Sequence, residues 1–162
     1  MKLAHLLSSI LLITISAASA AQTVFTVGGI AIGDTKESAL KRFPAAECYV
    51  HFNSKTIDHE ICNGVHDPVF SSVGAKTSFH IVGGKVSFFT VLLPDTKISE
   101  VAQLLGQKLG QHQFVVSPSS KDKSRPTPAM LWQPTGAAVL LDFEKTANGE
   151  YAVIVTAPRT IK

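Results

Sequence analysis

Cysteine, tryptophan and methionine are all scarce in this chain of 162 residues: two, one and two of each. With so few thiols there is no Cys-x-x-Cys pair, and dithiol redox chemistry drops out. A Gly-x-Ser-x-Gly nucleophile elbow is also missing. Gly28-Gly29 and Gly33 precede a helix but do not complete a phosphate-binding loop. Charge of one sign never accumulates, since fifteen Lys and Arg oppose twelve Asp and Glu along the chain. The single basic cluster, Lys121, Lys123 and Arg125, is broken by Asp122 and has no aromatic residues interleaved. No nucleic-acid groove is expected from it. Asp58 with Glu60, and Asp142 with Glu144, alternate as acids on a solvated strand face do, which argues against paired acid–base catalysis.

What the sequence does contain starts with a leader. Lys2 supplies a positive head, residues 3–15 are mostly apolar, and Ala18-Ser19-Ala20 has the small-residue form of a cleavage site. The run is too short for a spanning helix, and no cysteine follows the cut to carry a lipid. A signal peptide over residues 1–20, cleaved near Ala20, is therefore expected. Residues 21–162 then form one exported domain, periplasmic or secreted, with no stable membrane insertion after cleavage. In an oxidising compartment Cys48 and Cys62 are expected to form a structural disulfide.

Periodicity sets the elements. Ile98, Val101, Ala102, Leu105 and Leu109 fall on one helical stripe within residues 95–110. Asp95 or Thr96 is placed to cap its start and Gly110 to end it. A shorter helix over 35–43 begins at Asp34 and Glu37, spaced as a capping box, and stops at Pro44. Strands are expected at 47–52 and 57–62, with a turn at 53–56. Pairing Cys48 with Cys62 then sets Tyr49 against Ile61, Val50 against Glu60 and His51 against His59. In that register the apolar residues of the two strands point to opposite faces, so a bulge or an irregular second segment is needed. Residues 63–76 read as a loop. Gly83-Gly84 turns a hairpin of 77–82 and 85–93. In its second strand Val86, Phe88 and Leu92 share one face, and Phe89, Val91 and Leu93 the other. Beyond the long helix come a short strand at 113–116, a loop at 117–128, and three strands at 129–133, 137–144 and 150–157. The expected class is α+β: a mostly antiparallel sheet with two helices on one face.

The two helix starts echo each other. Asp34-Thr35-Lys36-Glu37-Ser38 and Asp95-Thr96-Lys97-Ile98-Ser99 share Asp-Thr-Lys-x-Ser, 61 residues apart. Either a helix-plus-hairpins unit is duplicated over 33–93 and 94–157, or ordinary helix-start chemistry is used twice. With the Gly83-Gly84 hairpin and the single Trp132 in a late strand, this arrangement resembles the tandem modules of the β-lactamase-inhibitory protein fold. It also resembles the related small modules of outer-membrane assembly lipoproteins, although the lipidated cysteine of those proteins is missing here. The resemblance implies a protein-binding module rather than an enzyme.

Two residue sets compete as sites. His51 and His59, opposed across a hairpin, could present ring nitrogens to one metal ion, with His66 or Asp67 as third ligand. Solvated histidines on a hairpin are the plainer reading, and His80 reads as packed or on a rim. The second set is apolar. Two helices cannot bury every strand residue, so some of Phe89, Val91, Leu93, Met130, Trp132, Leu140 and Ile154 should lie on the far sheet face. Trp132, with Met130 and Phe89, is the natural partner contact, packing in the core being its alternative. The expectation is a non-catalytic binding module without a cofactor, whose partner is another envelope or secreted protein. The alternatives are a metal-binding or hydrolytic periplasmic enzyme and a small-ligand carrier.

Overall fold

Eight strands form one open sheet in the computed structural model, which describes residues 23–51 and 58–158. The leader and the expected turn at 53–56 lie outside the described residues. In chain order the elements are α1 (Lys36–Arg42), β1 (Glu47–Val50), β2 (His59–Val65), α2 (Pro68–Ser71), β3 (Lys76–Val82) and β4 (Lys85–Leu93). A 3-10 turn (Asp95–Lys97) leads into α3 (Ile98–Leu109), followed by β5 (Gln113–Val116), β6 (Pro128–Trp132), β7 (Ala138–Asp142) and β8 (Tyr151–Thr156). Spatial order is β1-β2-β3-β4-β8-β7-β6-β5, with each neighbouring pair antiparallel. The α+β class is as expected. α1 precedes one four-stranded meander and α3 precedes the other, and their last strands, β4 and β8, pair in the middle.

The helices lie on one face, over a core that includes Phe70, Phe79, Phe89, Leu105, Trp132 and Leu141, each at most 2 % exposed. Each such side chain contributes about 1.5–3 kcal/mol by leaving water. From α3 only Val101 and Leu105 are fully buried, with Ile98, Ala102 and Leu109 packed at the margin, which is the stripe the spacing predicts.

The caps differ from expectation. Thr35, not Asp34, caps α1 by accepting the Ser38 amide at 3.2 Å, while Asp34 accepts the Ala31 amide across the preceding turn. At the second Asp-Thr-Lys no side chain caps the helix, because the tripeptide itself winds into the 3-10 turn. Asp95 instead accepts from Lys145 at 2.8 Å. One tripeptide therefore does two different jobs.

Residues 63–76 are not all loop. β2 runs on to Val65, with the register shifting between Asn63 and Val65, where Gly64 adopts φ 90°. Asp67-Pro68, read from sequence as a breaker, starts α2. Asp67 accepts the Val69 and Phe70 amides, and proline occupies the first turn, where its missing N–H costs nothing. A third, one-turn helix thus joins the two expected. The β3–β4 hairpin carries a second register shift: His80 faces Phe88 and Ile81 faces Val86, leaving Ser87 as the extra residue. Val86 consequently joins Phe89, Val91 and Leu93 in the core, against the expected grouping with Phe88 and Leu92.

The β1–β2 register is the one read from sequence, with Cys48 opposite Cys62 and the disulfide formed. The apparent conflict of faces is met without a bulge between these strands. β1 is an edge strand, and Tyr49 and Val50 stay about half exposed.

Candidate functional site

Strand alternation divides the sheet. Where Phe79, Phe89, Val153 and Leu141 point under the helices, their neighbours point the other way, onto a face that no helix covers among the described residues. Register aligns this helix-free face in rows. One row runs Asn63, Ser78, Thr90, Ile154, Leu140 and Leu131 across β2, β3, β4, β8, β7 and β6. A flanking row runs Ile61, His80, Phe88 and Thr156.

The part of the face built from β5–β8 is apolar but for Asp142, a carboxylate 1 % exposed and opposite Ala129. Ala129, Leu131, Ala138 and Leu140 form a cluster separate from the main core, with Val115 and Ile154 packed against it. The part built from β1–β4 is polar and titratable. His59 and His80, each 8 % exposed, share a hydrogen bond between Nε2 and Nδ1 at 2.9 Å. The other nitrogen of His80 meets the Thr90 hydroxyl at 3.1 Å. His80 also stacks on Phe88 with ring centroids 3.9 Å apart, and His51 meets the His59 ring edge-on at 4.9 Å. A neutral imidazole has one donor and one acceptor nitrogen, so this chain of contacts suits uncharged rings. Burial pushes the His80 imidazole down to about 4, with His59 and then His51 adding to the depression. His59 is lowered too, by burial first and by His51 second.

The expected metal set His51, His59 and His66 is not assembled. The first two meet as the register requires, but the shift at Gly64 carries the chain away. His66 ends at the sheet margin, beside Arg42 and Lys41 in one cleft and beside Asn63 and Ser71 in another. The nearest third histidine is His80, and its nitrogens are engaged by His59 and Thr90. Among the described residues no three metal-ligating side chains converge on a common point. The expected partner contacts are also displaced. Phe89 and Trp132 are core residues at 1 % exposure, and Met130 packs against the same core. Trp132 is pinned there by its indole N–H, which donates to the Gly110 carbonyl at 3.1 Å. Val91 and Leu93 are likewise core, whereas Leu140 and Ile154 do lie on the far face.

Sequence reasoning missed His80, Thr90 and Leu131 as members of this face. Pairing Gly83-Gly84 into a hairpin places His80 next to β4, but the extra residue at Ser87 decides which β4 residues it meets. Leu131 needs the β6–β7 register, set by the three residues Pro134-Thr135-Gly136. Comparison with protein-family models, characterised proteins and solved structures gave no match.

Proposed function

We propose that this is an exported, non-catalytic module that binds another envelope or secreted protein through the helix-free face of its sheet. The observation that carries the reading is the apolar ground on that face. The Ala129–Leu131–Ala138–Leu140 cluster continues into half-buried Ile154, Leu92 and Phe88 at the sheet centre. The cluster itself is buried, at 0–7 % exposure, so the solvent-accessible apolar ground is that of Ile154, Leu92 and Phe88, and such ground rimmed by polar residues is the usual mark of a protein contact. The reactive groups are meanwhile engaged structurally. Both cysteines are in the disulfide, Asp67 caps α2, and Asp142 accepts the Glu144 amide at 2.8 Å. The disulfide supports an oxidising destination. Among the described residues no helix is long and apolar enough to cross a membrane.

Neither alternative draws equal support. A hydrolase would need a base oriented by an acid, and the histidine chain ends on Thr90 instead. A carrier would enclose its ligand, and the clefts found here open to solvent. The test is retention of proteins from an envelope extract by wild type, Ile154→Lys on the proposed face, and Glu100→Lys on α3. A protein held by wild type and Glu100→Lys but lost by Ile154→Lys is expected. The same set retained on all three would reject the reading.

A further inference from the structure

On the opposite side of the molecule four segments meet around a cleft of ≈ 750 Å³. The turn at Gly28-Gly29, the end of α1, the start of α2 and the end of α3 contribute to it, with Thr26, Gly29, Lys41, Arg42, His66 and Lys108 in its wall. Its charge stands out by where the unpaired cations gather. Lys36, Lys76, Lys97, Lys121 and Lys145 each have a carboxylate within 4 Å. Lys41, Arg42, Lys85, Lys108, Lys123 and Arg125 have none among the described residues, and three of these six, Lys41, Arg42 and Lys108, share one cleft. The single acid in the wall, Asp67, is 4 % exposed and occupied by three backbone amides, those of Gly28, Val69 and Phe70.

Cations at helix C-termini are ordinary helix chemistry, because each helix end carries roughly half a negative charge. Two such ends and Asp67 together offset about two of the three positive charges. A net positive cleft remains without counting His66.

The wall is also held in place. Arg42 donates from Nε to the Gly28 carbonyl at 2.9 Å, leaving its terminal nitrogens without an acceptor among the described residues. The turn has to be glycine. Gly28 and Gly29 adopt φ 59° and 81°, and a Cβ on Gly29 would lie 2.5 Å from the Arg42 side chain. The Gly29 amide, at the lip of the cleft, has no acceptor among the described residues. Guanidinium, two ammonium groups, a backbone amide and the Thr26 hydroxyl give donors from several directions. That spread matches a tetrahedral oxyanion better than a planar carboxylate.

We propose that this cleft binds a phosphate-bearing ligand with two or more negative charges. The site is independent of the sheet face discussed above.

The probe is inorganic pyrophosphate, titrated calorimetrically into the purified wild-type protein, Lys41→Gln with Lys108→Gln, and Lys85→Gln with Lys123→Gln. All four lysines are exposed and outside any ion pair among the described residues, so the two double variants remove equal charge, Lys108→Gln also giving up its contact over the Phe25 ring. Affinity is expected to fall tenfold or more in the first and stay within about twofold in the second, the loss of two charge-assisted contacts being concentrated at one place. Equal losses in both variants, or no binding to wild type at millimolar pyrophosphate, would overturn the proposal. A second arm separates the sources of phosphate. Co-sedimentation with phosphatidic-acid vesicles that pyrophosphate reverses assigns the site to lipid headgroups. Pyrophosphate binding with the protein left in the vesicle supernatant assigns it to a free phosphate compound.

Discussion

The two meanders of this sheet have equal strand number and direction, yet they are held by different chemistry. In the β1–β4 half the outer edge is tied by a covalent cross-link, and the helix-free face carries a hydrogen-bonded file of histidines. In the β5–β8 half there is neither. Trp132 reaches under α3 to the Gly110 carbonyl, and alanines and leucines fill the helix-free face. Backbone pairing is therefore neutral as to what a sheet face carries. One half has been given a cross-link and a file of imidazoles, the other an apolar cluster with the buried carboxylate of Asp142 beside it.

That contrast can be broken, and the largest expected effect is in the apolar half. Trp132→Ala removes the largest fully buried side chain and should cost about 3–5 kcal/mol in urea unfolding at pH 7.5. A cost below about 1 kcal/mol would mean that the indole does not anchor this half. Next comes the cross-link. Its partners are 14 residues apart, and removing it with Cys48→Ser and Cys62→Ser should cost about 3 kcal/mol in the chain-entropy account. Hydrogen exchange should show the loss first in β1, and uniform loss over β5–β8 would count against a local staple.

The smallest effect is the pH response, and its direction is fixed. His80 has a folded-state value of about 4 against an ordinary 6.5, so between these values the unfolded chain binds the proton and the folded one does not. Stability is then full above pH 6.5 and falls on acidification to about pH 4, by at most about 3 kcal/mol. Denaturant midpoints measured across this range should fall for wild type and Trp132→Ala. For His80→Leu the slope should flatten, leaving the weaker share of His59. A slope unchanged in His80→Leu would place the response elsewhere.

The sequence was informative wherever local chemistry decides. Helix α3 was legible because its apolar spacing needs no partner to be recognised. The β1–β2 register followed from one constraint, Cys48 against Cys62, and that alone brought His51 to His59. The face assignments were not legible, because a single extra residue inverts the alternation beyond it. Ser87 moved Val86 into the core, and the shift at Gly64 carried His66 away from the histidines it was expected to join. Trp132 shows the other limit. Nothing in its neighbours says on which side of the sheet the helices lie, so its role as core or contact waited on the long-range order of the strands. Asp67-Pro68 was a plainer lesson, since a turn signal and a helix-start signal are written in the same two residues.

The strand order has a consequence for how the molecule is made. β8, synthesised after every other strand, lies between β4 and β7 at the middle of the sheet. Until residues 151–156 have emerged, the two meanders have no common seam, and β4 and β7 each present a raw edge. The decisive closure is thus a long-range event, which slows folding relative to local pairing. Removing this one strand would therefore uncouple the halves, where removing β1 would only trim a border.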